Sequence, residues 1–118
     1  MNYSAYVISS QERRRLLGLF PPTRAIIRAH HITYVIGSSK VPPSLPTMIV
    51  GVCDHAGSQV LVCEVGGNIT RSDGNTYHIT WSHDVSVLPS NSNWVLRNYP
   101  WEPLKHTLVL SFPKSYSP

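Results

Sequence analysis

The tripeptide His-Ile-Thr occurs twice, as His31-Ile32-Thr33 and His78-Ile79-Thr80, each time inside a β-branched and aromatic run that reads as a strand. Strand side chains alternate with a period of two, so His31 and Thr33 leave on one face while His30, Ile32 and Tyr34 leave on the other. In the second copy His78, Thr80 and Ser82 stand opposite Tyr77, Ile79 and Trp81. The Ile and aromatic faces belong in a core, which commits both strands to presenting imidazole and hydroxyl outward. With six His and seven Thr in 118 residues, roughly 0.4 such matches arise by chance. The weight therefore rests on context. Both copies sit in strands, and the 47 positions between them leave room for a hairpin.

The rest of the chain supplies that context. Tyr3 to Ile8 reads as an opening strand. Ser9-Ser10-Gln11-Glu12 has the form of a capping box and predicts a helix over Gln11 to Phe20, with Leu16, Leu17, Leu19 and Phe20 on one side. Pro21-Pro22 ends it, because proline has no N–H to donate. One strand is predicted over Ala25 to Ile36 and a proline-rich link over Gly37 to Pro46. Thr47 to Cys53 and Gln59 to Val65 follow as a hairpin closed by Asp54-His55-Ala56-Gly57. Gly66-Gly67-Asn68 and Ser72-Asp73-Gly74-Asn75 are turns before a strand at Tyr77 to Ser82. Ser90-Asn91-Ser92 caps a short helix through Trp94, Val95 and Leu96. Leu104 to Phe112 supplies a last strand, and residues 113–118 form a Pro/Ser-rich tail. The sum is one α+β domain over residues 1–118, mostly antiparallel sheet with one or two helices.

Composition bounds the function. An apolar fraction of 42% fills one core at this length and excludes both a multidomain machine and wholesale disorder. The net charge of +4 favours an anionic partner such as RNA, a nucleotide or a phosphate ester. Cys53 and Cys63 have neither zinc-knuckle spacing nor the density of a disulfide framework, so free thiols in a reducing compartment are expected. No apolar run approaches the roughly 18 residues of a membrane span, and Met1-Asn2-Tyr3-Ser4 lacks a basic region followed by an apolar run, so no signal peptide is expected. The chain reads as cytoplasmic, in the host cytoplasm if viral, with no membrane association and no obligate protein partner.

If the two motif strands lie together, two imidazoles and two hydroxyls flank one cleft. Histidine titrates near neutrality, so one ring can take a proton from an attacking oxygen while the other gives one to the departing oxygen. Thr33 and Thr80 can donate to non-bridging phosphate oxygens, a role a metal would otherwise fill. There is no H-x-x-x-H and no cysteine pair with zinc spacing, so no metal and no cofactor is expected.

These residues resemble the two-histidine (2H) phosphoesterase superfamily, whose signature is a pair of H-x-T/S motifs on strands. Tyr3 to Ile8, the helix ending Leu16-Leu17-Gly18-Leu19-Phe20-Pro21-Pro22-Thr23 and then Ala29-His30-His31-Ile32-Thr33 look like the opening of RNA-repair-like members. His78-Ile79-Thr80-Trp81-Ser82, followed by Val85, Val87, Pro89, Ser90 and Asn93, resembles fungal tRNA-ligase-type cyclic phosphodiesterase domains. The resemblance covers roughly residues 3–112. It implies metal-independent phosphodiester cleavage in nucleotides or RNA bearing a ribose 2′-OH. His31 and His78 would trade acid and base roles, and Thr33 and Thr80 would hold phosphate oxygens. Superfamily members usually have a longer bilobal body with helical material between the motifs, where this chain has the short Gly37 to Pro46 link. Compact stand-alone members also occur in phages, where some degrade cyclic oligonucleotide signals of host immunity, and this chain's size fits that group. The expected substrate is thus a cyclic nucleotide, a cyclic oligonucleotide or an RNA end. The alternative is a non-catalytic RNA- or nucleotide-binding module that retains the cleft.

Ser82, His83 and Tyr6 are added as candidate substrate contacts. His30 is expected to pack on the opposite face, His55 and His83 to be exposed, and His106 to lack a partner motif. Cys53 and Cys63 read as small buried hydrophobes and Arg13-Arg14-Arg15 as a solvated helix face. Tyr34, Trp81, Trp94, Tyr99 and Trp101 read as core or edge residues, with base stacking by one aromatic normal for this substrate class.

Overall fold

The computed structural model describes residues 2–111 and 113–117. The elements in order are β1 (Tyr3–Val7), α1 (Ser10–Leu19), β2 (Ile26–Ile27), β3 (His31–Ile36), β4 (Thr47–His55), β5 (Ser58–Val65), β6 (His78–His83), α2 (Asn91–Asn98), β7 (Glu102–Val109) and β8 (Lys114–Tyr116). They build an α+β domain of two antiparallel sheets, one ordered β3-β1-β8 and the other β2-β6-β5-β4-β7.

The apolar faces read from the sequence meet between the sheets. Tyr6 and Ile32 from the first sheet pack with Ile49, Leu61, Ile79 and Trp81 from the second, and α1 adds Leu16. β5 is buried along nearly its whole length because α2 covers its other face through Val95 against Cys53 and Val60. At the start of α1 the Ser9 hydroxyl accepts from Glu12 N at 3.1 Å, the expected cap. The Glu12 carboxylate turns to Arg15 at 2.8 Å and to Ser111 N at 3.4 Å, tying the helix to the chain beyond β7.

The single strand expected over Ala25 to Ile36 is two strands in different sheets. Ile26 and Ile27 pair with His83 and Ser82 of β6, and the amides of Arg28 and Ala29 donate to the carbonyls of Trp81 and Thr80 at 2.9 and 3.0 Å. Ala29 then takes φ +47°, a left-handed conformation that costs a residue with a Cβ about 1–2 kcal/mol. The chain swings away from β6 and continues as β3 beside β1. Arg13 holds the bend by donating from Nε to the Ala29 carbonyl at 3.0 Å, so this arginine is a tie rather than part of a solvated face. Past the bend β3 and β6 stay in contact without sharing a ladder, and a cleft opens between them.

Other differences are local. The last predicted strand ends at Val109, and Phe112 lies outside the described residues. The tail contributes β8, which pairs with the edge of β1 that β3 leaves free. α2 starts at Asn91 with Ser90 as its N-cap, but no side chain bonds back to the helix amides.

Candidate active site

The cleft between β3 and β6 has a volume of about 480 Å³, and His31, Thr33, His78 and Thr80 all line it. The two His-x-Thr pairs therefore converge from two different sheets. The geometry follows from the strand switch. β2 pairs Ile26 with His83 and Ile27 with Ser82, and past the bend His31 pairs with Val7 of β1, so the two motifs reach the cleft from different sheets.

His78 sits on the β6 wall, 9% exposed. Its Nδ1 lies 2.8 Å from the Thr76 carbonyl, and a carbonyl oxygen only accepts, so Nδ1 carries the proton. The neutral ring then keeps its lone pair on Nε2. Burial pushes the His78 pKa down to about 4; the Thr76 contact raises it in part, and the Arg71 guanidinium lowers it further. His31 is also pushed down to about 4, first by burial and then by the neighbouring His30 and His78 rings. His31 feels the His78 ring, and burial holds both imidazoles neutral at pH 7.

His30 does not project to the opposite face. The bend at Ala29 breaks the strand alternation, and His30 Nδ1 sits 3.0 Å from His31 Nδ1 along the same cleft. One ring donates and the other accepts, which engages His31 Nδ1 and leaves Nε2 as its working nitrogen. The Tyr3 ring stacks on His31 with centroids 5.0 Å apart, fixing the imidazole plane.

The two threonines differ. Thr33 has no hydrogen-bond partner among the described residues, so its hydroxyl faces the cleft unengaged. Thr80 Oγ1 lies 2.8 Å from Ser92 Oγ and 3.3 Å from the Pro89 carbonyl. When Ser92 donates, the Thr80 proton is released for the long Pro89 contact or for a ligand oxygen. Ser92 is fully buried at the start of α2, so this helix positions Thr80.

The three added substrate contacts fall elsewhere. Tyr6 is 2% exposed in the inter-sheet core, with its hydroxyl on the Pro43 carbonyl at 2.5 Å. Burial, then the Tyr34 and Tyr77 rings, push it up to about 12. Ser82 is fully buried and bonds to Gln59 Oε1 at 2.6 Å and to the Arg24 amide at 3.2 Å. A bulge at Trp81 explains its departure. Gln59 pairs with Ser82 and Val60 with Thr80, which leaves Trp81 as an extra residue. Trp81 and Ser82 then both face the segment after α1, Trp81 donating to the Phe20 carbonyl at 2.7 Å. His83 is 3% exposed rather than solvated, because it is the last residue of β6 and lies under the Arg28 side chain.

Arg28, Arg71 and Asn93 also line the cleft and were not singled out as chemistry-bearing from the sequence. Arg71 is 4% exposed and forks onto Asp73 at 2.8 and 2.9 Å, and this bond holds the Asp73 carboxyl well below the usual range. Nothing in a lone arginine within a turn marks it as a wall of the site. For Asn93, the resemblance around the second motif was the available signal. Both cysteines are buried free thiols whose pKa values burial raises, so neither is an activated nucleophile. Among the described residues no group of three His, Cys, Asp or Glu side chains is placed to hold a metal ion, and no helix is long and apolar enough to cross a membrane.

No protein-family model, curated protein or solved structure matches the chain.

Proposed function

We propose that this protein is a metal-independent phosphodiesterase of the two-histidine type, acting on nucleotides or RNA that carry a ribose 2′-OH. The observation that carries the reading is the convergence of His31 and Thr33 from one sheet with His78 and Thr80 from the other on a single cleft. The resemblance to 2H phosphoesterases rests on the same four residues.

The chemistry follows from the tautomers. A neutral His78 with its proton on Nδ1 presents Nε2 as a base to the substrate 2′-OH. The 2′-oxygen attacks phosphorus and the bond to the 5′-oxygen breaks. His31, carrying a proton, gives it to that leaving oxygen. A 2′,3′-cyclic phosphate results, and water opens it with the two rings exchanging roles. The cleft needs one proton on the imidazole pair for each step. A bound phosphodiester supplies the negative charge that draws it in, raising proton affinity where burial had lowered it. Thr33 and Thr80 donate to the non-bridging oxygens.

The test is turnover of a nucleoside 2′,3′-cyclic phosphate and a panel of cyclic dinucleotides in excess chelator. Hydrolysis of a ribose-bearing member supports the reading. Tight binding without turnover identifies the chain as a nucleotide-binding module instead. Activity lost in chelator and restored by one divalent ion replaces the metal-independent mechanism with a metal-assisted one.

A further inference from the structure

At the β2 end of the cleft a buried histidine grips an exposed arginine. His83 Nδ1 lies 2.8 Å from the Asp84 carbonyl, so Nδ1 carries the proton and Nε2 is an acceptor. Arg28 Nε donates to that Nε2 at 3.1 Å. One edge of the guanidinium is thereby fixed, while its terminal amino groups have no partner among the described residues and the side chain lines the cleft. Orienting an exposed arginine costs side-chain entropy. Its core partner His83 is 3% exposed and accepts from no other group among the described residues, so the contact is the main use of that buried nitrogen.

Resting on the phosphodiesterase reading, we propose that Arg28, oriented by His83, forms a second phosphate subsite in the cleft. The preferred substrate then carries a phosphate adjacent to the one that reacts. Arg28 precedes His31 by three residues, which at strand rise is no more than about 10 Å along the backbone, within the reach of neighbouring phosphates on one nucleotide chain. A guanidinium with one edge anchored offers the other to phosphate oxygens as a preorganised fork. The second arginine of the cleft does not serve this role, because its fork is already spent on Asp73. The ligand class is a nucleotide with two phosphates, as in a dinucleotide or a 5′-phosphorylated end, in preference to a mononucleotide with one.

Equilibrium binding tests this without requiring turnover. Calorimetric titration of the full chain with adenosine 3′,5′-bisphosphate and adenosine 3′-monophosphate gives an affinity ratio, expected at about 10 or more in favour of the bisphosphate. Arg28→Gln brings the ratio to about 1. Arg28→Lys, which keeps the charge but loses the fork, brings it to about 3. Because Arg28 is exposed, these variants are expected to fold. A wild-type ratio near 1, a full ratio surviving in Arg28→Gln, or an unchanged ratio in Arg28→Lys overturns the oriented subsite. Those results leave the phosphodiesterase reading standing if the monophosphate still binds and His31→Ala weakens it. Failure of both ligands to bind overturns the two proposals together.

Discussion

His31 and His78 are the residues on which the functional reading turns, and their surroundings differ. His78 is locked by a backbone carbonyl, whereas His31 rests against another imidazole and a tyrosine ring. Replacing a general acid or base typically costs 10²–10⁴-fold, so His31→Ala and His78→Ala should each lose about that much kcat/KM while keeping the native circular dichroism spectrum. Thr33→Val and Thr80→Val remove one donor each and should lose about 10-fold, with the larger fold perturbation at Thr80, where Ser92 is left unpartnered. NMR titration provides an independent reading. Both imidazoles should titrate near pH 4 in the free protein, and nucleoside monophosphate should raise at least one of them by about a unit or more. Values unmoved by the ligand would show that no phosphate sits between the rings. At this scale the sequence was informative. Alternation puts the His and Thr of each motif on one face of its strand and Ile32, Ile79 and Trp81 on the other; in the structure the four line the cleft and the three lie in the core. It failed for His30 and Ser82, because each lies next to a break in that alternation, the bend at Ala29 and the bulge at Trp81.

Those breaks belong to the elements, and neither is visible in residue type. Alanine carries no signal for a positive φ, so Ala25 to Ile36 reads as one continuous strand although it serves two sheets. The bend makes the cleft. Without it β3 would stay paired to β6 and His31 would stand in a closed ladder. Ala29 is fully buried, so Ala29→Val adds volume and forces a β-branched residue into the left-handed region, at a cost of about 3 kcal/mol. Ala29→Gly, which relieves the strain but gives up a buried methyl, should stay within about 1 kcal/mol of the parent. Urea denaturation of the pair checks this, and equal effects would mean that the bend is not what Ala29 supplies. The sequence predicts the short helix but not its link to the site: Ser92 reads as part of a cap, whereas its hydroxyl turns back to Thr80 of β6.

Over the whole molecule, two sheets share one core and hold a cleft of buried imidazoles where they part. That arrangement makes stability depend on pH. The folded pKa of His78 lies near 4, below its ordinary value of about 6.5, so the unfolded chain binds the extra proton in that window. The stabilisation from keeping this ring neutral is complete above pH 6.5 and is lost as pH falls toward 4, a change of about 3 kcal/mol for a shift of this size. Denaturation midpoints should therefore drop steeply between pH 6.5 and 4, and His78→Gln should flatten the drop. A flat wild-type profile would contradict the burial assigned to this ring. The tail shows what the sequence could not convey at this scale. Lys114–Tyr116 has no periodic pattern of its own and becomes a strand because β1 offers it an unpaired edge.

On the proposed function, the two His-x-Thr pairs form one phosphodiester-cleaving centre that uses the substrate 2′-OH. Matched ribo and 2′-deoxy cyclic dinucleotides, together with a nucleoside 2′,3′-cyclic phosphate, incubated in chelator and followed by end-group analysis, test it most directly. Ribose-bearing compounds should be turned over through or from a 2′,3′-cyclic end. The deoxy compound should stay intact, and both histidine variants should be inactive. Efficient cutting of the deoxy compound, or no turnover of any ribose-bearing compound by the wild-type chain, would contradict it.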